Sequence, residues 1–274
     1  MKRSVTILAG LLYAGLALAQ AATPAPNLLA QRLAASEKRL ADWADLACYR
    51  DANSRLSAPK HGEMRVVFMG DSITNSWGRE QGVFFPGKPY INRGISGQTT
   101  PQMLVRFRPD VIALKPRVVV ILAGTNDIAG NTGPSTLGMI EDNLASMAEL
   151  ARANGIKVVL ASVTPVNDYI DAGMTKGRPP QRILELNAWI ASYAQREHFV
   201  YLDYYDALLD SHHALKKDLS SDGLHPNAAG YAVMAPLAQQ AIEQALQPYG
   251  VWAVEAVRAA KPSTRSIFPP LLGP

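Results

Sequence analysis

The chain has 274 residues, of which 48% are hydrophobic and 18% are charged, and its formal net charge is +4. This length and apolar content fit one large α/β domain with appendages and argue against a disordered chain. The small charge, without a Lys/Arg stripe interleaved with aromatic residues, argues against nucleic-acid binding. The single cysteine, Cys48, excludes an internal disulfide and a cysteine-rich zinc site, and we expect it to be a small buried residue.

Residues 1–21 are typical of a secretory signal peptide. Lys2 and Arg3 form a positive start, residues 5–19 are almost wholly apolar, and small residues follow at cleavage spacing. The apolar run is shorter than the roughly 20 residues that a membrane-spanning helix needs. We therefore expect export to the periplasm or the medium, with no stable membrane insertion after cleavage.

Residues 22–63 are expected to form a linker and then a helix, because leucines recur near helical spacing from Leu28 to Leu40. We expect this helix to pack on the main domain. Residues 249–274 form a Pro-rich tail with little periodicity, which we expect to be poorly ordered or draped over the surface.

Residues 64–248 alternate short apolar runs with amphipathic helical segments. The runs are rich in β-branched residues and do not alternate with polar ones, and they fall at 66–69, 90–91, 118–122, 158–161 and 200–202. Such runs suit parallel strands that are covered on both faces. The pattern predicts a three-layer α/β/α sandwich with right-handed crossovers.

Four polar clusters follow the predicted strands or precede the last helix, at 70–74, 92–97, 124–127 and 221–226. The carboxyl ends of parallel strands meet at one edge of a sheet, and ligands bind there. We therefore expect the first three clusters to be neighbours, and the fourth to reach them if its loop folds back.

The first and last clusters hold the residues that acyl transfer requires. Ser72 is a candidate nucleophile, although a serine after Asp71 is also typical of a turn or a helix cap. His225 is the candidate base, and Asp222 lies three residues earlier, where its carboxylate could orient the imidazole. The alternative for this pair is a capping aspartate beside a surface histidine.

The two middle clusters offer hydrogen-bond donors for an oxyanion. Gly94 has a backbone N–H that no side chain obstructs, Asn126 has a side-chain amide, and the Ser72 N–H would be a third donor. Asp71, Trp77 and Asp127 are candidates for the substrate pocket, although an aromatic residue such as Trp77 is also typical of an ordinary core.

Together, Ser72, Gly94, Asn126 and His225 resemble the four blocks that name the SGNH, or GDSL-like, hydrolases. The resemblance covers roughly residues 64 to 246. Its motif sequences are similar to those of the branch that contains platelet-activating-factor acetylhydrolase catalytic subunits and bacterial GDSL esterases. It implies a flavodoxin-like parallel sheet of five strands in the order 2-1-3-4-5. It also implies hydrolysis of carboxylic esters, chiefly short acyl or acetyl esters, through an acyl-serine without a metal or other cofactor.

Alternative functions remain open at this stage. The same residues would serve a lysophospholipase, a lipase or an O-acyltransferase that acts on carbohydrate or lipid esters. A non-catalytic carbohydrate- or lipid-binding protein could keep the fold. A nucleotide-binding protein is disfavoured, because no Gly-x-Gly-x-x-Gly or phosphate loop follows the first strand. The sequence leaves the physiological ester and the oligomeric state open.

Overall fold

The structure is a computed structural model that describes residues 26–247. The chain divides into two units, Met1–Ala41 and Asp42–Pro274. In the first unit the predicted helix is present as α1 (Pro26–Ala41), and its packing on the main domain stays a prediction. The predicted signal peptide at 1–21 and the tail at 249–274 lie outside the described residues.

The second unit contains a sheet of five parallel strands in the order β2-β1-β3-β4-β5, which confirms the predicted topology. The strands are β1 (Val66–Gly70), β2 (Tyr90–Gly94), β3 (Val118–Leu122), β4 (Lys157–Ala161) and β5 (Val200–Leu202). Every residue of β1 and β3 is buried. Continuous apolar runs are required there because both faces of these strands are covered.

Helices cover the two faces of the sheet. They are α2 (Arg50–Ser54), α3 (Ser72–Ser76), α4 (Thr100–Asp110), α5 (Thr125–Ile128), α6 (Leu137–Ala153), α7 (Met174–Gly177), α8 (Pro180–Arg196), α9 (Tyr205–Leu208) and α10 (Ala228–Leu246). Helices α4, α6 and α8 bury their apolar residues on one face, with Val67 and Met69 of β1. Helix α10 covers the other face, with Val66 and Phe68. Among the described helices, none combines the length and apolar character needed to cross a membrane.

The segment between α1 and α2 is a turn rather than an extension of either helix. The Asp42 carboxylate accepts hydrogen bonds from the backbone N–H groups of Leu46 and Ala47, both at 2.8 Å. Cys48 lies in this turn and is exposed, so the expectation that it is buried was wrong. The turn held by Asp42 leaves Cys48 outside both clusters of the apolar core.

A buried arginine stabilises the edge of the sheet from which the polar clusters project. Arg106 of α4 is fully buried, and its guanidinium pairs with Asp110 at 3.0 Å. It also donates to the carbonyl of Gly70 at 3.0 Å and to the Gln98 side chain at 2.5 Å. Because a buried charge is tolerated only when its donors are satisfied, these bonds hold the end of β1 and the loop after β2 in one arrangement.

Candidate active site

Ser72 is the first residue of α3 and follows β1 after a single residue. Asp71 is the N-cap of this short helix, and its Oδ1 accepts the Ile73 N–H at 2.9 Å. The cap turns the chain sharply away from the strand, so that Ser72 lines an open cavity of about 470 Å³ at the carboxyl edge of the sheet. The N–H of Ser72 lies in the first helical turn and has no acceptor within the helix.

His225 connects this serine to an acid. Its Nε2 lies 2.9 Å from Ser72 Oγ, and its Nδ1 lies 2.6 Å from Asp222 Oδ2. With the proton on Nδ1, the N–H donates a hydrogen bond to the carboxylate, and Nε2 is free to accept the serine proton. This is the geometry of a serine triad.

The Asp222 carboxylate is held by three donors. Its Oδ2 accepts from the His225 ring, and its Oδ1 accepts the N–H groups of Leu224 and His225 at 2.9 and 2.8 Å. Desolvation raises the pKa of Asp222, but these hydrogen bonds outweigh it and leave the pKa below its usual value. The carboxylate therefore stays charged opposite the imidazole.

The loop that carries this pair folds back onto the sheet edge, as the sequence required. The Ser220 hydroxyl donates to the carbonyl of His225 at 2.8 Å and accepts the Gly223 N–H at 3.0 Å. Gly223 has a φ of +88°, and a Cβ there would lie 2.1 Å from the carbonyl oxygen of Asn167. Only glycine permits this turn against its neighbour.

Asn126 lies in α5, directly after β3, and also lines the cavity. Its Nδ2 donates to the carbonyl of Gln98 at 3.1 Å, and its Oδ1 accepts from the Arg178 guanidinium at 3.3 Å. One N–H of the amide then remains for a ligand. The side chain is buried, which makes this donor well fixed before any substrate arrives.

Gly94 does not line the cavity, contrary to the expectation. Its N–H donates to the side chain of Asn92 at 2.9 Å, so it is already engaged. A Cβ at Gly94 would lie 2.1 Å from the backbone nitrogen of Asn75. Position 94 therefore requires a glycine because the backbone of α3 packs closely against it, and not because a substrate does.

Gly97, three residues later in the same cluster, is on the cavity wall. It adopts a φ of +78°, which favours glycine. Its carbonyl accepts from Asn131, whereas no acceptor within the described part of the chain takes its N–H. Both glycines belong to the segment 92–97. They differ in position, because Gly94 ends β2 whereas Gly97 lies in the turn that follows the strand.

The three residues predicted for the substrate pocket lie elsewhere. Trp77 is 2% exposed, stacks on Tyr231 with ring centroids 5.0 Å apart, and donates from Nε1 to the carbonyl of Val83. It is a core aromatic residue, as the alternative interpretation held. The Asp127 carboxylate accepts the N–H of Thr100 at 3.0 Å and its hydroxyl at 2.6 Å, and so caps α4.

Asp71 is likewise beneath the cavity rather than on its wall. It is 1% exposed, and its Oδ2 is buried without a hydrogen-bond donor among the described residues. Burial raises the pKa of Asp71 to about 6, although the Ile73 N–H and the nearby His225 act in the opposite direction. Its position serves to present Ser72 and not to contact a ligand directly.

The sequence analysis gave no role to the remaining residues of the cavity wall, although Ser96, Ser221, Leu224 and Pro226 belong to two of the predicted clusters. This part of the wall is formed mostly by polar side chains and includes Ser76, Glu80, Gln81, Ser96, Arg178, Ser221, Leu224 and Pro226. Arg178 had no sequence signal, because it follows the single-turn helix α7 in the connection between β4 and α8. The other cavity residues lie near the predicted clusters, but their direction depends on turns that a sequence pattern does not specify.

Comparison with known proteins agrees with this geometry. Residues 68–233 match the model of the GDSL-like lipase/acylhydrolase family. A solved structure of a GDSL-like lipase from Bacteroides thetaiotaomicron VPI-5482 has a TM-score of 0.70 and 46% identity. The match covers 74% of this chain and 99% of that one.

Two curated relatives match over shorter stretches. Esterase TesA of Pseudomonas aeruginosa is 30% identical over 51% of this chain and 62% of its own length. The uncharacterised lipoprotein YqeF of Bacillus subtilis is 38% identical over 28% of this chain and 32% of its own length. The chain thus spans less than two thirds of either relative. The family match, which covers more than half of the chain and all the clusters described above, is decisive: the chain belongs to the GDSL-like lipase/acylhydrolase family of ester-bond hydrolases.

Proposed function

We propose that this protein is an exported serine esterase that hydrolyses short acyl esters through an acyl-Ser72 intermediate. The observation that carries the proposal is the chain of hydrogen bonds from Ser72 Oγ through His225 to Asp222, with lengths of 2.9 and 2.6 Å. A serine hydroxyl is a weak nucleophile until a positioned base accepts its proton, and these distances supply such a base.

In the first half of the reaction, His225 Nε2 takes the proton of Ser72 as Oγ attacks the ester carbonyl carbon. The carbonyl oxygen becomes an oxyanion, which the N–H groups of Ser72 and Gly97 and the Asn126 amide are placed to stabilise. The resulting imidazolium, held by Asp222, then protonates the leaving alcohol. Gly97 takes the role that the sequence had suggested for Gly94.

In the second half, water attacks the acyl-serine while His225 again accepts a proton. The tetrahedral intermediate collapses, the proton returns to Ser72 Oγ, and the carboxylic acid is released. An acyl acceptor such as a sugar hydroxyl could replace water in this step. Acyltransferase activity on the same residues is therefore the second candidate, and product analysis in the presence of added alcohols distinguishes it.

The cavity wall supports a small acyl group on a hydrophilic alcohol. Apart from Leu224 and Pro226, the residues that line it are polar, charged or glycine. A long alkyl chain would therefore meet few hydrocarbon side chains there. Rates over a series of p-nitrophenyl esters from acetate to palmitate test this point: a maximum at acetate or butyrate is expected, and a maximum at long chains would indicate a lipase or lysophospholipase.

Replacement of the nucleophile tests the activity itself. Ser72→Ala should abolish hydrolysis of p-nitrophenyl acetate, and a fluorophosphonate probe should label the wild type at Ser72 and leave the variant unlabelled. Ser146→Ala on α6 is the matched control, because that hydroxyl donates only to the carbonyl of Asp142. Full activity of Ser72→Ala would refute the proposal, and absent labelling of an inactive wild type would favour a binding protein.

Export rests on the pattern of residues 1–21 alone. Expression of the full chain in a bacterial host, followed by mass measurement of the periplasmic protein, should show a new terminus at Gln20 or Ala22. Recovery of the uncleaved chain from the cytoplasm would contradict export and would leave the esterase proposal untouched.

A further inference from the structure

A guanidinium that forms no ion pair with any described residue lies in the cavity. Arg178 follows α7, and its side chain forms part of the cavity wall. None of the ion pairs within the described residues includes it. A guanidinium keeps its charge at any ordinary pH. The carboxylates of Asp71, Asp171 and Asp222 are near enough to stabilise this charge, but none is close enough to form an ion pair, so its hydrogen bonds go to neutral groups.

Arg178 donates to the sulfur of Met174 at 3.5 Å and to two consecutive residues of α5. Its Nε donates to the hydroxyl of Thr125 at 3.1 Å, and its Nη2 donates to Oδ1 of Asn126 at 3.3 Å. The planar fork of a guanidinium suits two acceptors held in a fixed relation. Arg178 therefore contacts the very amide that is proposed to face the oxyanion.

The oxygen of the Asn126 amide contacts a hydrogen-bond donor, and its nitrogen contacts an acceptor. On one side Oδ1 meets a guanidinium donor, and on the other Nδ2 meets the carbonyl of Gln98 at 3.1 Å. Rotation of the amide by 180° would set its NH₂ group against the cation and its oxygen against the carbonyl. Both contacts would become repulsive, and so the pair selects one orientation.

We propose that Arg178 is a positioning residue that orients the Asn126 amide with one N–H toward the ester oxygen. The inference rests on the proposed function, because it assigns a task within the same site. An oriented donor acts mainly where charge develops. Loss of Arg178 should therefore lower kcat and leave KM for a neutral ester nearly unchanged.

The test is a double-mutant cycle on p-nitrophenyl acetate with Arg178→Met and Asn126→Ala. Arg178→Met should lower kcat by roughly tenfold to a hundredfold through misplacement of the amide. In the Asn126→Ala background the same change should have little further effect. Arg178→Lys keeps the charge but lacks the fork, and should recover only part of kcat. Arg182→Met is the matched control, because that guanidinium donates to the carbonyl of Ser135 and does not line the cavity.

A second substrate separates positioning from recognition of an acidic substrate. For p-nitrophenyl hydrogen succinate, which carries a carboxylate, Arg178→Met should reduce kcat as much as it does for the acetate. A rise in KM confined to the succinate, with kcat preserved, would overturn the proposal. Fully additive losses in the double-mutant cycle would also overturn it.

A spectroscopic measurement keeps the inference separate from the activity. The ¹⁵N-labelled side-chain amide of Asn126, assigned by its loss in Asn126→Ala, should shift and broaden in Arg178→Met and remain in place in Arg182→Met. An unchanged amide signal in Arg178→Met would refute the contact even if the wild type hydrolysed every ester. If no variant or wild-type protein hydrolyses any ester, the proposed function fails while this measurement still reports on the contact.

Discussion

Two regions that adjoin the cavity differ in how they affect the pKa values of their carboxylates. The sheet rim consists of Asp71, Ser72, Asn126 and Asp127, at the ends of β1 and β3, and its two aspartates are at most 2% exposed. The His225 loop, residues 221–226, carries Asp222, whose side chain is 42% exposed. Burial raises the pKa values of Asp71 and Asp127, whereas hydrogen bonds lower that of Asp222.

This difference identifies the acid of the proposed triad better than burial alone would. Asp71 receives one hydrogen bond, from the Ile73 N–H, whereas Asp222 receives three. A carboxylate that must face a developing imidazolium has to remain ionised, and donors favour ionisation. Asp71 is instead protonated more readily than an ordinary carboxylate, and it caps the turn that carries Ser72.

The largest expected effect comes from breaking the only side-chain link described between Ser72 and the loop. His225→Ala should lower turnover of p-nitrophenyl acetate by at least roughly a thousandfold, because the hydroxyl then has no base. Steady-state kinetics measure this loss. The control is the substitution His61→Ala, because His61 is exposed. Activity above a tenth of the wild-type value would exclude His225 as the base.

A smaller loss is expected from Asp222→Asn. The new Nδ2 would oppose the proton on His225 Nδ1 and favour the wrong tautomer, while Oδ1 keeps its two backbone donors. We expect kcat to fall by roughly a hundredfold to ten-thousandfold, less than for His225→Ala. A value of kcat within threefold of wild type would mean that the backbone of the loop orients the imidazole without the carboxylate.

The buried acid of the sheet rim should appear as a pH effect on stability. The pKa of Asp71 is about 6 in the folded protein and roughly 4 when unfolded. Between these values the folded state binds more protons, so the free energy of unfolding falls as pH rises from 4 toward 7. Two pKa units correspond to about 3 kcal/mol at most. Asp71→Asn should remove that slope and retain the cap.

Urea unfolding of wild type and Asp71→Asn at pH 4, 5, 6 and 7.5 measures the difference between the two slopes. The substitution Glu149→Gln in α6 is the control for loss of a surface charge, because Glu149 is exposed. Parallel pH profiles for wild type and Asp71→Asn would show that Asp71 is ionised at no cost and would contradict the contrast with Asp222.

The smallest effect is expected at Asp127. Asp127→Ala removes the acceptor of the Thr100 N–H at the start of α4 and should cost about 1–2 kcal/mol of stability. Because Asp127 does not line the cavity, KM for a short ester should stay within about threefold of wild type, as for a structural cap. Thermal unfolding and kinetics on one preparation give both values, and a large rise in KM with normal stability would return Asp127 to the substrate pocket.

Most of the fold could be predicted, because a parallel sheet covered on both faces requires continuous apolar strands. The runs at 66–69 and 118–122 lie in β1 and β3, and the order of all five strands is as predicted. The exposure of Cys48 was missed, because its neighbours form a turn capped by Asp42 rather than an apolar surface.

The sequence anticipated which side chains meet where a residue type carries its own chemistry. Ser72 and His225, which lie 153 positions apart in the chain, are in hydrogen-bond contact. Prediction failed where the same residue type has several uses. Gly94 and Gly97 both permit close approach, yet one meets the α3 backbone and the other the cavity. An aspartate after a strand can cap a helix as readily as it can contact a ligand, and Asp127 does the former.

By itself the sequence determined the layers and the edge at which the polar clusters gather, since these follow from hydrophobic pattern and chain connectivity. The order of the strands was implied by the resemblance of the four polar clusters to the GDSL-like hydrolases. The tertiary structure decided which N–H groups stay available, that Arg178 reaches Asn126, and that Asp71 and Asp222 differ in their tendency to ionise. Those properties depend on distances of a few ångströms between distant segments, and a one-dimensional pattern contains no such distances.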